Sequence, residues 1–159
     1  MAKELPLGQG QWEWLGQTLS RHANAKMAPD VIKLVMPGVR LLEYEDNAAI
    51  VVEDNAAIVV ENDIGYAMYV IYQGRVLVVR KGNKIAELET GDFFGEISLV
   101  TRAPRTATVK AVKNCQVFEL SWRAINAITE CFPQLMQAIQ AAAAKRMEEL
   151  AQKDRQPTT

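Results

Sequence analysis

The sequence contains little of the chemistry on which metal-dependent or thiol-dependent proteins rely. It has one histidine, His22, and two cysteines, Cys115 and Cys131, with no CxxC pair. One histidine and two distant cysteines cannot supply the ligands of a metal cluster. We expect both cysteines to be buried, reduced thiols rather than a disulfide. The composition therefore predicts neither a metal centre nor another resident cofactor.

An excess of charge of one sign and long apolar runs are also missing. The 18 Lys and Arg residues oppose 19 Asp and Glu residues, which gives a net charge of −1. The sequence lacks the basic stripe that would predict nucleic-acid binding. No apolar run approaches the roughly 20 residues that span a bilayer, and the N-terminus lacks the apolar core of a signal peptide. We expect a cytosolic protein without a nucleic-acid partner or a membrane segment.

What is present is an ordinary globular mixture of 49% hydrophobic and 23% charged residues over 159 positions, which suits a single domain. The hydrophobic pattern divides it into a helical segment over 1–38, strands over 39–120 and helices over 121–155. This order predicts an α+β fold. It is an antiparallel β-roll, of the double-stranded β-helix or jelly-roll type, flanked by N- and C-terminal helices.

Turn residues separate short runs rich in Val, Ile and Tyr, which predict strands: 39–44, 49–52, 57–60, 67–72, 75–80, 84–88, 106–112 and 116–120. Helical spacing predicts one helix through Trp12, Leu15 and Leu19, and another from Asp30 through Val31, Leu34 and Val35. Ser121 is predicted to cap a helix over 122–131.

The last helix is predicted from Pro133 to about Lys153. Its apolar stripe is Met136, Ile139, Ala143, Met147 and Leu150. The charged tract of Lys145, Arg146, Glu148 and Glu149 is predicted to be a solvated face. The stripe is compatible with packing inside the molecule and with a homodimer seam.

The octapeptide 45–52 is repeated without change as 53–60. Because eight is even, a slip by one copy would keep every side chain on its own face of a sheet. The duplication is interpreted as one tolerated in a surface connection, with a functional insertion as the alternative.

Residues 91–109 combine groups that suit an anionic sugar. Gly95 removes a side chain where a ligand could approach the backbone, and Glu96 opens one short helical turn whose first amides could bind an anion. Arg105 follows Pro104 and offers a planar fork of donors to a phosphate. The carboxylate of Glu96 suits a sugar hydroxyl. The alternative is a structural salt bridge between Glu96 and Arg105.

The sequence Gly-Glu-Ile-Ser-Leu at 95–99, followed by Pro-Arg-Thr-Ala-Thr-Val at 104–109, closely resembles a known motif. It is the phosphate-binding cassette of cyclic-nucleotide-binding domains. These domains occur in cAMP- and cGMP-dependent kinases, cyclic-nucleotide-gated channels and bacterial catabolite-activator-type regulators. The resemblance extends over roughly residues 30–150 through glycine-punctuated strands such as 61–65 and 68–76.

The resemblance implies a role for each cassette residue. Glu96 would accept from the ribose 2′-hydroxyl, and Arg105 would pair with the exocyclic oxygens of the cyclic phosphate. Backbone amides would complete the cradle: Gly95, Ile97, Ser98 and Thr106. A hydroxyl at Thr106 is compatible with either base. The last helix would cap the base, and Met136 and Ile139 are the candidates for that contact.

The function implied is that of a signal-transducing sensor that binds cAMP or cGMP and shifts its C-terminal helices to act on a downstream protein. Asp92 and Glu96 have no nucleophile or histidine base beside them, so catalysis is not expected. The alternative is an interaction or dimerisation module with the same fold that binds no nucleotide.

Overall fold

The structure, a computed structural model, describes residues 2–27, 30–33, 36–45, 49–51, 67–101 and 107–155. It confirms the α+β class, with an antiparallel sheet between N- and C-terminal helices. In chain order the elements are β1 Lys3–Leu5, α1 Gln9–Ala23, α2 Asp30–Lys33, a 3-10 turn Met36–Gly38, β2 Val39–Tyr44, β3 Ala49–Val51, β4 Ala67–Arg80, β5 Asn83–Glu89, β6 Phe93–Phe94, α3 Glu96–Thr101, β7 Thr108–Ser121, α4 Trp122–Cys131 and α5 Pro133–Arg155.

The described strands form one antiparallel sheet in the order β1-β2-β7-β4-β5, with β3 against β7 and β6 against β4. Successive side chains of a strand point to opposite faces, so neighbouring residues join different cores. Val70 and Phe118 pack beneath the helices with Trp12. Tyr69 and Val117 pack on the opposite face in a second apolar cluster. The sheet therefore separates a helical core from a core inside the roll.

Two predicted pairs of strands are each one continuous strand of 14 residues, β4 and β7. Gly74, which lies between the predicted strands 67–72 and 75–80, is a bulge with φ +103°, and the pairing of β4 with β7 shifts on either side of Gln73. A side chain at Gly74 would lie 3.1 Å from the Asn114 carbonyl oxygen. A glycine in a strand marks either a turn or a close backbone approach, and here it marks the second.

The helices follow the predicted pattern closely. Ser121 caps α4, since its hydroxyl accepts from the Ala124 amide at 3.1 Å, and α4 has the predicted bounds. The N-terminal segment is not wholly helical, because Lys3–Leu5 pairs with β2 as an edge strand. A strand of three residues is too short to show a period of two, and its partner lies about 40 positions away.

Several expectations change or lie outside the described residues. Cys131 is exposed, whereas Cys115 is buried, and both are free thiols. Met147 is 40% exposed, so it does not belong to the buried stripe of α5. The predicted strand 57–60, the second octapeptide, Leu34 and Val35 lie outside the described residues.

Candidate functional site

A cavity of about 320 Å³ lies between the sheet and the C-terminal helix. Its wall consists of apolar residues of the roll, the start of α3 and the last turns of α5. The lining residues are Val78, Ile85, Ala86, Leu88, Phe94, Gly95, Glu96, Ile97, Ala107, Val109, Arg146, Glu149, Leu150 and Lys153. Charged groups therefore converge on one side of an otherwise apolar space.

The turn before α3 is held by backbone and side-chain hydrogen bonds. The Gly91 amide donates to the Ile71 carbonyl at 2.8 Å, and the Ile71 amide donates to the Asp92 carbonyl at 2.9 Å. The Asp92 carboxylate accepts from the Glu89 amide at 3.0 Å. Asp92 thus stabilises the turn. Two residues later Phe94 stacks on Tyr69, with ring centroids 5.1 Å apart.

Gly95 changes the direction of the chain between β6 and α3. Its φ is +87°, a conformation that residues with a side chain rarely adopt. α3 begins at the next residue, and Glu96 and Ile97 both face the cavity. Ser98 belongs to the first turn of α3. The positive φ of Gly95 is what allows the strand to turn directly into a helix at the cavity wall.

Glu96 is buried, at 1% exposure, and it forms a hydrogen-bonded ion pair with the C-terminal helix. Arg146 Nη1 lies 2.6 Å from Glu96 Oε1 and also donates to the Phe93 carbonyl oxygen at 2.8 Å. The guanidinium carbon lies 5.3 Å from the centre of the Phe93 ring, within the distance of a cation–π contact. One arginine therefore binds the backbone, the ring and the carboxylate of the segment that forms this wall.

A second cation of α5 contacts the sheet at the cavity. Lys153 Nζ donates to the Ile85 carbonyl oxygen of β5 at 2.6 Å. Arg146, Leu150 and Lys153 recur at intervals of four and three residues, which places them on one face of a helix. That face covers the cavity, with an apolar side chain between two cations.

The predicted ligand-contacting residues are distributed as follows. Gly95, Glu96 and Ile97 line the cavity, while Arg105 and Thr106 lie outside the described residues. The chain returns to the cavity at Ala107, two positions after Arg105. The roles given to these residues stay predictions.

The structure does not bring the two base-capping candidates to the cavity. Ile139 is 1% exposed and belongs to the core beneath the helices, and Met136 packs against that core. Their part of α5 faces the sheet and α1, and the cavity begins about two turns further on. The helical period could have predicted that Arg146 faces inward, because Arg146 follows the apolar Ile139 by seven residues and so lies on the same face of the helix. The reading of this tract as wholly solvated is wrong for Arg146.

Within the ranges that the structure describes, no group of three His, Cys, Asp or Glu side chains could hold a metal ion. Over the same ranges, no helix has the length and apolar character needed to cross a membrane. The arrangement can bind a small polar ligand between apolar walls and a charged helix. The fold and site together define a β-roll with a cavity that its C-terminal helix covers.

Residues 49–130, just over half of the chain, match the family model described as cyclic nucleotide-binding domain. The chain belongs to this family, and the predicted resemblance is confirmed. Potassium/sodium hyperpolarization-activated cyclic nucleotide-gated channel 2 of Homo sapiens is 40% identical over 91 residues, which are 57% of this chain and 10% of the channel. Channel 4 of Homo sapiens is equally similar over 8% of its length. The chain thus spans about a tenth of the length of the curated relatives it matches.

Solved structures show the same fold. A cyclic nucleotide-binding domain from Methylobacillus flagellatus has a TM-score of 0.72 at 16% identity, covering 99% of this chain and 92% of that one. The catabolite activator protein of Thermus thermophilus has a TM-score of 0.65 at 23% identity, covering 83% and 61%. The regulatory domain of Toxoplasma gondii PKA, solved with cAMP, has a TM-score of 0.61 at 25% identity, covering 77% and 46%.

Proposed function

We propose that this chain is a regulatory domain that binds cAMP or cGMP in the cavity and converts occupancy into a displacement of α5, leaving the nucleotide chemically unchanged. The observation that carries the proposal is the position of Glu96, which lines the cavity and is bonded to Arg146 of α5. A ligand that binds this carboxylate acts on the helix through one shared side chain.

The cavity has the size and lining for a nucleotide. Its volume of about 320 Å³ lies at the lower end of the roughly 300–1,000 Å³ typical of small-molecule sites. Val78, Ile85 and Leu88 supply an apolar wall for the base, and the Glu96 carboxylate accepts from the ribose 2′-hydroxyl. The relatives support this ligand class, because the channels are named cyclic nucleotide-gated and the Toxoplasma domain was solved with cAMP.

The phosphate is assigned to the second part of the cassette, at 104–109. Arg105 pairs with the exocyclic oxygens, because a guanidinium matches two phosphate oxygens at once. The amides of Gly95, Ile97, Ser98 and Thr106 complete the cradle. Support comes from the motif itself and from the family match, which includes every one of these residues.

Coupling to α5 follows from the Arg146–Glu96 pair. Arg146 donates to Glu96 and Phe93, and Lys153 donates to Ile85. A ribose hydroxyl that bonds to the Glu96 carboxylate changes the free energy of α5 in the position where Arg146 contacts Glu96. A ligand shifts such an equilibrium by its difference in affinity for the two states, and the effect is reciprocal.

Leu150 is the residue of α5 that we assign to the base. It lies between Arg146 and Lys153 on the cavity face, whereas Ile139 is enclosed in the core. An aliphatic side chain at this point can cover a purine ring that rests on the wall of the roll.

The rival is a module that keeps the fold and binds no nucleotide, with α5 as a homodimer seam. One observation favours a contact there: within the described part of the chain, Met147 is the large hydrophobic residue that is exposed, at 40%. Sedimentation with and without nucleotide separates these roles. A dimer that forms identically in both conditions, with no nucleotide bound, supports the rival.

The experiment that tests the proposal is a titration with cAMP and with cGMP, followed by hydrogen exchange of α5. We expect saturable binding of at least one nucleotide and altered exchange over 146–153, with β2 as the unchanged reference. Acyclic 5′-AMP is the control ligand, and analysis of the recovered nucleotide tests for turnover. Unchanged exchange in α5 at saturation would contradict the coupling, and hydrolysis of the cyclic nucleotide would contradict a role without catalysis.

A further inference from the structure

We infer that His22, on the last turn of α1, is a positioning residue for the nucleotide site. The inference rests on the proposed function and extends it to the N-terminal helix, to which neither the cassette motif nor the family match reaches. It stands on a continuous series of contacts from His22 to Glu96.

The first contact joins α1 to the turn before the cassette. His22 Nε2 donates to the Gly91 carbonyl oxygen over 2.6 Å, a separation of 69 residues in the chain. The neighbouring Arg21 also covers this turn, since a side chain at Gly91 would lie 2.6 Å from Arg21 Nη2. Gly91 has φ +92°, a conformation that favours glycine. The last turn of α1 therefore rests directly on the turn.

The second contact joins His22 to the residue that holds Arg146. The His22 ring meets the Phe93 ring edge-on, with centroids 4.8 Å apart and an interplanar angle of 83°. Arg146 contacts the same Phe93 ring at 5.3 Å and its carbonyl oxygen at 2.8 Å. Phe93 thus lies between His22 and Arg146. Arg146 in turn binds Glu96 at 2.6 Å.

The position of His22 distinguishes it from an ordinary packing residue. It is half-buried and contributes one directed hydrogen bond and one ring contact, both to the three-residue segment Gly91–Phe93. Displacing that segment moves the carbonyl and the ring on which Arg146 depends. His22 therefore sets the position of the Arg146–Glu96 pair without touching the cavity, whose lining residues do not include it.

Three variants test the inference: His22→Ala, His22→Gln, whose amide can donate from nearly the same point as Nε2, and Gln17→Ala, an exposed control on the same helix. We expect His22→Ala to weaken nucleotide binding about fivefold, the effect of one net hydrogen bond. Most of that loss should return in His22→Gln. A purely packing role would not be rescued by a residue that lacks the ring.

A second readout uses the protein without nucleotide. The Gly91 amide, which donates to Ile71, should exchange its hydrogen faster in His22→Ala and near the wild-type rate in His22→Gln. Equal exchange in all variants, or equal loss in both His22 variants, would overturn the inference. If the wild type binds no nucleotide, the proposed function fails, whereas the exchange rates still decide whether His22 positions the turn.

Discussion

Replacing Arg146 by alanine perturbs the link between the cassette and α5 most directly. The side chain of Glu96 is 2% exposed and that of Arg146 is 30% exposed. Loss of the cation leaves a buried carboxylate without its partner, which costs about 1–3 kcal/mol, and loss of the bond to the Phe93 carbonyl adds about 1 kcal/mol. Since Arg146 is partly hydrated, water replaces some of this interaction. We expect a loss of about 2–3 kcal/mol in the free energy of unfolding.

Urea denaturation measures this loss, and thermal unfolding should show a midpoint lower by roughly 5–10 °C for a domain of this size. Lys145→Ala is the matched control, since Lys145 is an exposed neighbour on the same helix. The loss should shrink in a Glu96→Gln background, where no charge is left unpaired. An Arg146→Ala variant as stable as Lys145→Ala would refute the claim that this pair holds α5 over the cavity.

Three further predictions concern the rest of the molecule. At pH 8 a thiol reagent should modify Cys131 at once and Cys115 only on unfolding, because burial raises the pKa of the Cys115 thiol to about 11. The raised pKa also means that this thiol lowers stability as the pH rises from about 9 to 11, where the unfolded thiol is already ionised. Deleting 53–60 should leave the melting temperature and nucleotide affinity unchanged, because 45–52 has the same sequence; a lower affinity would favour a functional insertion. Gly74→Ala should lower stability by about 1–3 kcal/mol in urea denaturation, because φ is +103° there; an unchanged midpoint would show that the bulge relaxes.

The sequence was informative where structure depends on neighbouring residues. The bounds of β2 and α4 and the cap at Ser121 follow from local alternation, helical spacing and one hydroxyl. Gly74 shows the limit, because a glycine between two strand-like runs predicts a turn unless the partner strand is known. Its contact with Asn114 is a property of the folded sheet.

The sequence drew attention to two residues that line the cavity, Gly95 and Glu96, but not to the helix that covers it. Glu96 and Gly95 lie in a motif that can be read along the chain. Arg146 lies 50 residues from Glu96, in a charged tract that resembles a solvated face. Its helical phase relative to Ile139 was available, but the partner of that face was not. The contact of His22 with Gly91 could not be predicted for the same reason, since the two residues lie 69 positions apart.

The most direct test of the central claim is a calorimetric titration of wild type and Arg105→Ala with cAMP and cGMP. Arg102→Ala is the control, because it removes another arginine of the same stretch of sequence. We expect one saturable site in the wild type and a loss of about 2–4 kcal/mol, roughly 30- to 1,000-fold in affinity, in Arg105→Ala alone. Absence of heat and of thermal stabilisation with the wild type at millimolar nucleotide would contradict nucleotide binding. An unchanged affinity in Arg105→Ala would place the phosphate elsewhere.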